Sequence, residues 1–306
     1  MQKISIILVH LNQEEYSRDC IRSLQQLTYA NAEIILVDNG SNDGSGFRLH
    51  KEFPKIQFLR SDENLGFAGG NNIGIRYALD NNAGYIVLLN NDTIVKNDFL
   101  EPLHSLAESD QKIGAQSCKI YFHQPGNTFW YAGGCLKIDK ALGYHRGLHE
   151  KDTGQYNTIE ETDFATGCMM FISRRAIEEV GLLDDSWFLY FEDSDWCLRA
   201  KAKGFKIIYN PRSIIWHKVS ASTGHDSPIY LYFLMRNKIL FLNKHSSIGR
   251  WLPNFPYLVY FYLRHIVRMS LKWKSRIGTE AVVTGLIDGL RNVKGKGRLE
   301  RYLRKR

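Results

Sequence analysis

The chain opens on a short β-branched apolar run, Ile4–Val9, followed by a helical pattern with Tyr16, Cys20, Ile21, Leu24 and Leu27 on one face. A second apolar run, Glu33–Val37, ends at Asp38, and Ile56–Leu59 reads as a third strand. Gly69–Leu79 reads as a helix, and Tyr85–Leu89 as a fourth strand that ends at Asn90-Asn91-Asp92. Short apolar runs alternating with helix-period segments predict β-α-β units: an α/β fold with a largely parallel sheet and helices on both faces. From about 117 to 162 the chain is rich in Gly and aromatics with weak periodicity, which predicts hairpins and loops. Ser173–Val180 and a segment from Glu192 read as helices stopped by Gly181 and Gly204, the usual C-terminal signal. Short strands at Lys206–Tyr209 and Ile214–Trp216 follow, and beyond Pro228 the pattern is helical, aromatic and basic. Two domains are expected, 1–227 and 228–306.

Composition changes this picture little, but charge changes it. With 44% hydrophobic and 24% charged residues, the 306-residue chain can bury a sizeable core and is not a disordered protein. From Pro228 onward there are 17 Lys and Arg against three acids, a net of +14, so the preceding body carries −6 of the +8 total. An acidic body with a basic tail implies two jobs, the second on an anionic surface. The five cysteines form no C-x-x-C pair, and the N-terminus lacks the layout of a signal peptide; both predict a reduced, cytoplasmic setting. The longest apolar run of the tail, Phe255–Leu263, is ended by Arg264, well short of the ~20 residues needed to span a bilayer.

Polar clusters follow the strands, where open α/β sheets bind ligands. In Val37-Asp38-Asn39-Gly40-Ser41, a carboxylate at a strand end can accept from a uracil or thymine N–H; the same residues also make a plain capped turn. In Asn64-Leu65-Gly66-Phe67-Ala68-Gly69-Gly70-Asn71-Asn72, glycines ahead of a helix allow close approach to a phosphate, or simply a tight loop. They follow the third strand with the wrong spacing for a dinucleotide fingerprint, which disfavours a dehydrogenase. Asp92, leaving a buried-looking strand, suits Mg²⁺ held by few carboxylates plus substrate phosphates, or an Asx turn. Phe191-Glu192-Asp193-Ser194-Asp195-Trp196 places three carboxylates within four residues beside aromatics, more than a helix first turn requires. His217 ends an apolar strand and is either a metal ligand or a satisfied structural residue.

Taken together, in this order and approximate spacing, these motifs resemble glycosyltransferase family 2, in particular its bacterial rhamnosyl- and galactofuranosyltransferase-like branch. The resemblance runs from Ile4 to about His245. It implies the GT-A fold, a Rossmann-like sheet with a metal at a D-x-D-type site. Here that site reads Asn90-Asn91-Asp92, with Asn in place of the first carboxylate. The resemblance implies Mg²⁺ or Mn²⁺ on Asp92 and His217, Asp38 against the nucleobase, and Glu192-Asp193 as the acidic pair whose second member is the catalytic base. Asn12, Asn64, Gly69, Asn71 and Asn91 are expected on the donor side, and Asp195 and Trp196 on the acceptor side. The expected activity is inverting transfer of a hexosyl or deoxyhexosyl unit, rhamnosyl favoured, from a UDP- or dTDP-sugar to a saccharide or lipid-linked saccharide of the cell envelope.

The basic tail, with aromatics interleaved, is expected to sit peripherally on the anionic inner membrane surface, although a packed helical subdomain with a solvated basic face would read similarly. Two other functions fit parts of the sequence. One is a metal-dependent nucleotide-sugar hydrolase in the same crevice. The other is a non-catalytic nucleic-acid binder using the tail, against which stand the acidic body and the lack of a base-reading motif. No nucleic-acid partner is therefore expected.

Overall fold

The computed structural model describes residues 1–219 and 227–303, in two compact units. The first comprises Met1–Cys135, Tyr144–Asp185 and Glu192–Val219. The second gathers Leu136–Gly143 and Ser186–Phe191 with the C-terminal helices. The single cut expected after residue 227 is thus corrected: two short segments from inside the body group with the helices, and residues 220–226 lie outside the described residues.

The first unit is built on one mixed sheet. Strands β1 (Ile4–His10), β2 (Ala32–Asn39), β3 (Gln57–Ser61) and β4 (Tyr85–Asn90) run parallel in the order β3-β2-β1-β4. The apolar runs of β1, β2 and β4 are buried, as parallel strands covered by helices require, while β3 at the sheet edge is only partly buried. Helices α1 (Glu14–Leu24), α2 (Ser45–Glu52) and α3 (Gly66–Asp80) make the crossovers, and Leu27 falls beyond the end of α1. The glycines of α3 serve its packing. A Cβ on Gly70 would lie 2.9 Å from Val9 Cγ1, and one on Gly74 2.6 Å from Ile7 Cγ2, so only bare backbone lets the helix approach β1 this closely.

After a short β5 (Thr93–Val95) and α4 (Leu100–Ser109) comes a ten-residue, largely buried strand, β6 (Ile113–Phe122), which runs into the stretch expected to form hairpins and loops. Its apolar and small residues face packed neighbours on both sides, so strict alternation is lost and the periodic signal with it. β7 (Phe129–Tyr131) pairs with β6, β8 (Gly134–Lys137) pairs with β9 (Leu142–His145), and β10 (Glu160–Glu161) lies at the sheet edge. β11 (Met169–Ser173) runs antiparallel between β4 and β6. Ser173 caps α5 (Arg174–Val180) through Ala176 N, and α6 spans Glu192–Ala202. The two strands expected near the end are one, β12 (Lys206–His217), with a bulge between Asn210 and Ile214 that produced the apparent break.

The second unit centres on α7 (Pro228–His245), which Ser227 caps through Tyr230 N at 3.1 Å. α10 (Arg276–Leu290) lies against it: Cβ atoms on Gly285 and Gly289 would come within 2.7 Å of Tyr232 O and 2.9 Å of Arg236 O. Between them run α8 (Ile248–Trp251) and α9 (Phe255–Val267), and α11 (Leu299–Leu303) follows α10. The unit has its own core, including Phe188, Tyr232, Phe233, Met235, Tyr262 and Val282. Within it, Phe188, Tyr190 and Phe191 all have positive φ, +64°, +69° and +76°. Such non-Gly conformations cost on the order of 1–3 kcal/mol each and persist only where surroundings enforce them. Here the Asn237 amide nitrogen donates to the carbonyls of Trp187, Leu189 and Tyr190, and the fully buried Arg236 donates to Trp187 O and Gly295 O.

Candidate active site

Three strand ends build the site in the first unit. β1 ends at His10, buried between Ser17 Oγ and Ser45 Oγ, each 2.7 Å from a ring nitrogen. Ser17 Oγ also receives the Asn91 amide at 2.8 Å, which ties α1 to the end of β4. Asn12 is exposed and has positive φ; its Oδ1 accepts from Asn42 N, and its own N–H donates to Ser41 Oγ.

Asp38, in register with His10, was expected to offer a free carboxylate to a base. Instead it is fully buried, with Oδ1 accepting from Ser41 N at 2.9 Å and Oδ2 paired with Arg60. Even a Cβ on Gly46 would sit 2.2 Å from Oδ2. The exposed partner of this pair is Arg60, whose guanidinium lies 4.7 Å over the Phe47 ring. Sequence reading ended the third strand at Leu59 and passed over Arg60, which lies inside β3. Asn39 secures the next loop, donating to Gly66 O and accepting from Leu65 N, while Asn64 Oδ1 accepts from Gly66 N. Gly69 and Asn71 are turned into packing. A Cβ on Gly69 would meet Leu65 at 2.7 Å, and the buried Asn71 donates to Phe67 O. Neither presents a group to a ligand, so Asn12, Asn64 and Asn91 are the expected donor-side residues that keep surface.

Asp92 and His217 are brought together as expected. β12 pairs with β5, setting His217 opposite Thr93, and Lys218 N donates to Asp92 O at 2.8 Å. His217 Nε2 stands 3.0 Å from Asp92 Oδ1, both side chains buried. Trp130 meets the His217 ring edge-on at 4.4 Å, and His217 Nδ1 is buried without a hydrogen-bond partner. A carboxylate beside an imidazole with a buried, unpartnered ring nitrogen is a donor set that fits a divalent cation. Among the described residues no three or more His, Cys, Asp or Glu are grouped to hold a metal unaided. Two protein ligands fit an ion completed by substrate phosphate oxygens.

The acidic run at the start of α6 divides by environment. Asp195 is fully buried and pairs with Arg199 at 2.9 Å, and Arg199 also binds the carbonyls of Val180 and Leu182. Trp196 is buried too, donating Nε1–H to Gly181 O at 2.8 Å. The acceptor-side placement expected for these two is therefore corrected: both fasten α6 to the α5 end. Glu192 is buried with Oε2 unpartnered, and burial together with the Asp193 charge pushes its carboxyl well above the usual range. Asp193 is half-buried, Oδ2 accepting from Gly167 N at 2.9 Å and Oδ1 from Ser194 N at 2.6 Å. Burial raises its carboxyl above the ordinary carboxylate value, against the opposing pull of those amides.

Gly167 is the joint that sequence reading missed. Next to it, Cys168 O accepts from Asn90 N at 2.9 Å, so one dipeptide holds both Asp193 and the strand end that leads to Asp92. A Cβ on Gly167 would lie 2.9 Å from the Phe67 ring. The signal was hidden because it depends on β11 lying antiparallel beside β4, with Met169 opposite Leu89.

The profile described as "Glycosyl transferase family 2" matches residues 5–181. The chain is 27% identical over 303 residues to the low-salt glycan biosynthesis hexosyltransferase Agl10 of Haloferax volcanii, covering 97% of this chain and 94% of that one. It is 24% identical over 289 residues to the dTDP-rhamnosyl transferase RfbF of Shigella flexneri, covering 90% and 92%. Among solved structures, the mannosyltransferase PcManGT of Pyrobaculum calidifontis, in complex with GDP-Man and Mn²⁺, matches with a TM-score of 0.59 at 14% identity, over 95% of this chain and 88% of that one. That likeness bears on the fold, which is the expected GT-A architecture. With its profile matched over more than half its length, the chain belongs to glycosyl transferase family 2 and is a glycosyltransferase.

Proposed function

We propose that the protein transfers a hexosyl or deoxyhexosyl unit, rhamnosyl favoured, from a UDP- or dTDP-sugar to a cell-envelope saccharide or lipid-linked saccharide, with inversion at the anomeric carbon. The hexosyl and rhamnosyl readings draw on the two relatives just described. One observation carries the mechanism. Of the three carboxylates at the start of α6, Asp193 alone is both surface-accessible and fixed by backbone donors, while Glu192 and Asp195 are buried. Asp193 takes the proton of the acceptor hydroxyl as that oxygen bonds to the anomeric carbon; the bond from that carbon to the diphosphate breaks, its electrons leaving with the diphosphate. Asp92 and His217 would hold Mg²⁺ or Mn²⁺, which supplies charge neutralisation to a leaving diphosphate when bound. Burial and the neighbouring Asp193 charge push the Glu192 carboxyl well above the usual range, so both favour its uncharged form beside the base. Arg60, held by Asp38 and stacked on Phe47, would meet the nucleotide base.

The second unit is assigned to the cytoplasmic membrane surface, so that the enzyme works peripherally where lipid-linked acceptors lie. Its net charge supports this, and no helix among the described residues is long and apolar enough to cross a membrane. The test is a screen of UDP- and dTDP-sugars, with Mn²⁺ or with chelator, reading both stabilisation by the donor and transfer to supplied saccharides. Metal-dependent stabilisation by one donor and its consumption only with acceptor are expected. Equal consumption without acceptor would point to hydrolysis instead.

A further inference from the structure

A surface helix ordinarily turns its polar residues to water. α9 does not. Leu258 and Tyr262 are buried, and so is Met269 about two turns further on. The outward face carries Phe255, Val259, Tyr260, Leu263 and Val267, with Tyr260 61% and Leu263 55% exposed. At 3.6 residues per turn these positions cover an arc of about 140°. Leu271, 71% exposed, and Trp273, 55% exposed, continue the strip past the helix end, where Arg268 lies over the Trp273 ring.

Charge borders this face. From Ser227 to Thr279 the chain has no Asp or Glu and nine Lys or Arg. Two of those, Arg236 and Lys238, are buried, while Arg264, Lys272, Lys274 and Arg276 are exposed around the apolar strip. An apolar strip rimmed by cations fits a bilayer with anionic headgroups. It fits a second copy of the chain poorly, because two such rims would face each other with like charge. Thirteen residues of helix reach about 20 Å, less than the hydrocarbon thickness, so the helix would lie in the interface plane.

We infer that the α9 face, from Phe255 to Trp273, is the membrane-inserting surface of the protein, with its apolar side chains in the headgroup–acyl boundary and Arg264, Lys272, Lys274 and Arg276 on anionic headgroups. This deepens the membrane assignment given above and rests on it. The experiment uses the full chain with vesicles of phosphatidylcholine alone or mixed with phosphatidylglycerol. The intact protein should co-sediment with the anionic vesicles and far less with the neutral ones. Leu263→Gln/Val267→Gln alters only exposed positions and should lower partitioning by about tenfold or more. Arg264→Gln/Lys272→Gln should weaken binding and flatten its salt dependence. Brominated acyl chains should quench tryptophan emission in the intact protein and much less in Trp273→Phe.

Undiminished vesicle binding by Leu263→Gln/Val267→Gln would overturn the inference. So would a protein that dimerises without vesicles and becomes monomeric on the same substitutions. Transfer to a water-soluble acceptor, measured in parallel, should be unchanged in these variants. Absent transfer in every form, with vesicle binding behaving as stated, would uphold this face and defeat only the glycosyl-transfer reading.

Discussion

Replacing Asp193 with Asn keeps the side chain's size and removes its charge. In the native protein, Gly167 N reaches Oδ2 at 2.9 Å and Ser194 N reaches Oδ1 at 2.6 Å. Asparagine has a single oxygen, so one of those amides must face an NH₂ group and lose its acceptor. A buried amide left unsatisfied costs about 1–3 kcal/mol, and a loss of stability of that order is expected. Loss of the base is a separate effect, worth about 10²–10⁴-fold in turnover, or about 2.7–5.4 kcal/mol of barrier. Urea denaturation reads the first effect, and initial rates at saturating donor with Mn²⁺ read the second. Calorimetric titration of the nucleotide checks that the donor site survives. The expected variant is folded, binds UDP or dTDP within a few-fold of wild type, and turns over at least about 100-fold more slowly. A folded Asp193→Asn protein that transfers sugar at close to the wild-type rate refutes the assignment. The neighbours could not easily substitute, since Glu192 and Asp195 are buried.

Three further outcomes follow from the same geometry. Glu192→Gln should track a proton: the folded carboxyl titrates above the ordinary glutamate value, so the folded state holds more protons than the unfolded one between the two, and wild-type stability is lost as pH rises through that window. The variant should therefore gain on wild type in denaturation midpoint as pH rises above the ordinary glutamate range, and a pH-independent difference would contradict it. Asp92→Asn and His217→Phe should each remove most of the Mn²⁺-dependent increment in nucleotide affinity while leaving the metal-free affinity near wild type; an intact increment argues against a metal there. Asn237→Ala strips a donor from the carbonyls of Trp187, Leu189 and Tyr190, and should cost at least about 2 kcal/mol in chemical denaturation, an effect too large for a loosely held loop.

What the sequence made legible follows from range. β1, β2 and β4 were readable because parallel strands buried on both faces need uninterrupted apolar runs, and their ends located Asp38 and Asp92. Asp92 and His217 were matched only through the family resemblance, because 125 positions of chain separate two residues that a β5–β12 pairing sets side by side. The acidic run showed that carboxylates gather at the start of α6 but not which way each points. On a helix, Asp195 and Asp193 point in different directions, and Asp195 finds Arg199 one turn along. β6 escaped because its residues are buried without alternation, and Asn237 because its partners are carbonyls of a segment nearly fifty residues earlier. The apolar run of α9 was visible from the start; that its exposed side is the apolar one required the packing of Leu258 and Tyr262.

The central claim is a single displacement in which Asp193 activates an acceptor hydroxyl, and it fixes the stereochemistry of the product. The direct measurement is the anomeric configuration of the glycoside formed by the full-length enzyme from its donor with Mn²⁺, read by proton NMR as the reaction proceeds. The account predicts one product anomer, opposite in configuration to the nucleotide-sugar donor. A product that keeps the donor's configuration, or free sugar released while the acceptor stays unmodified, would contradict it.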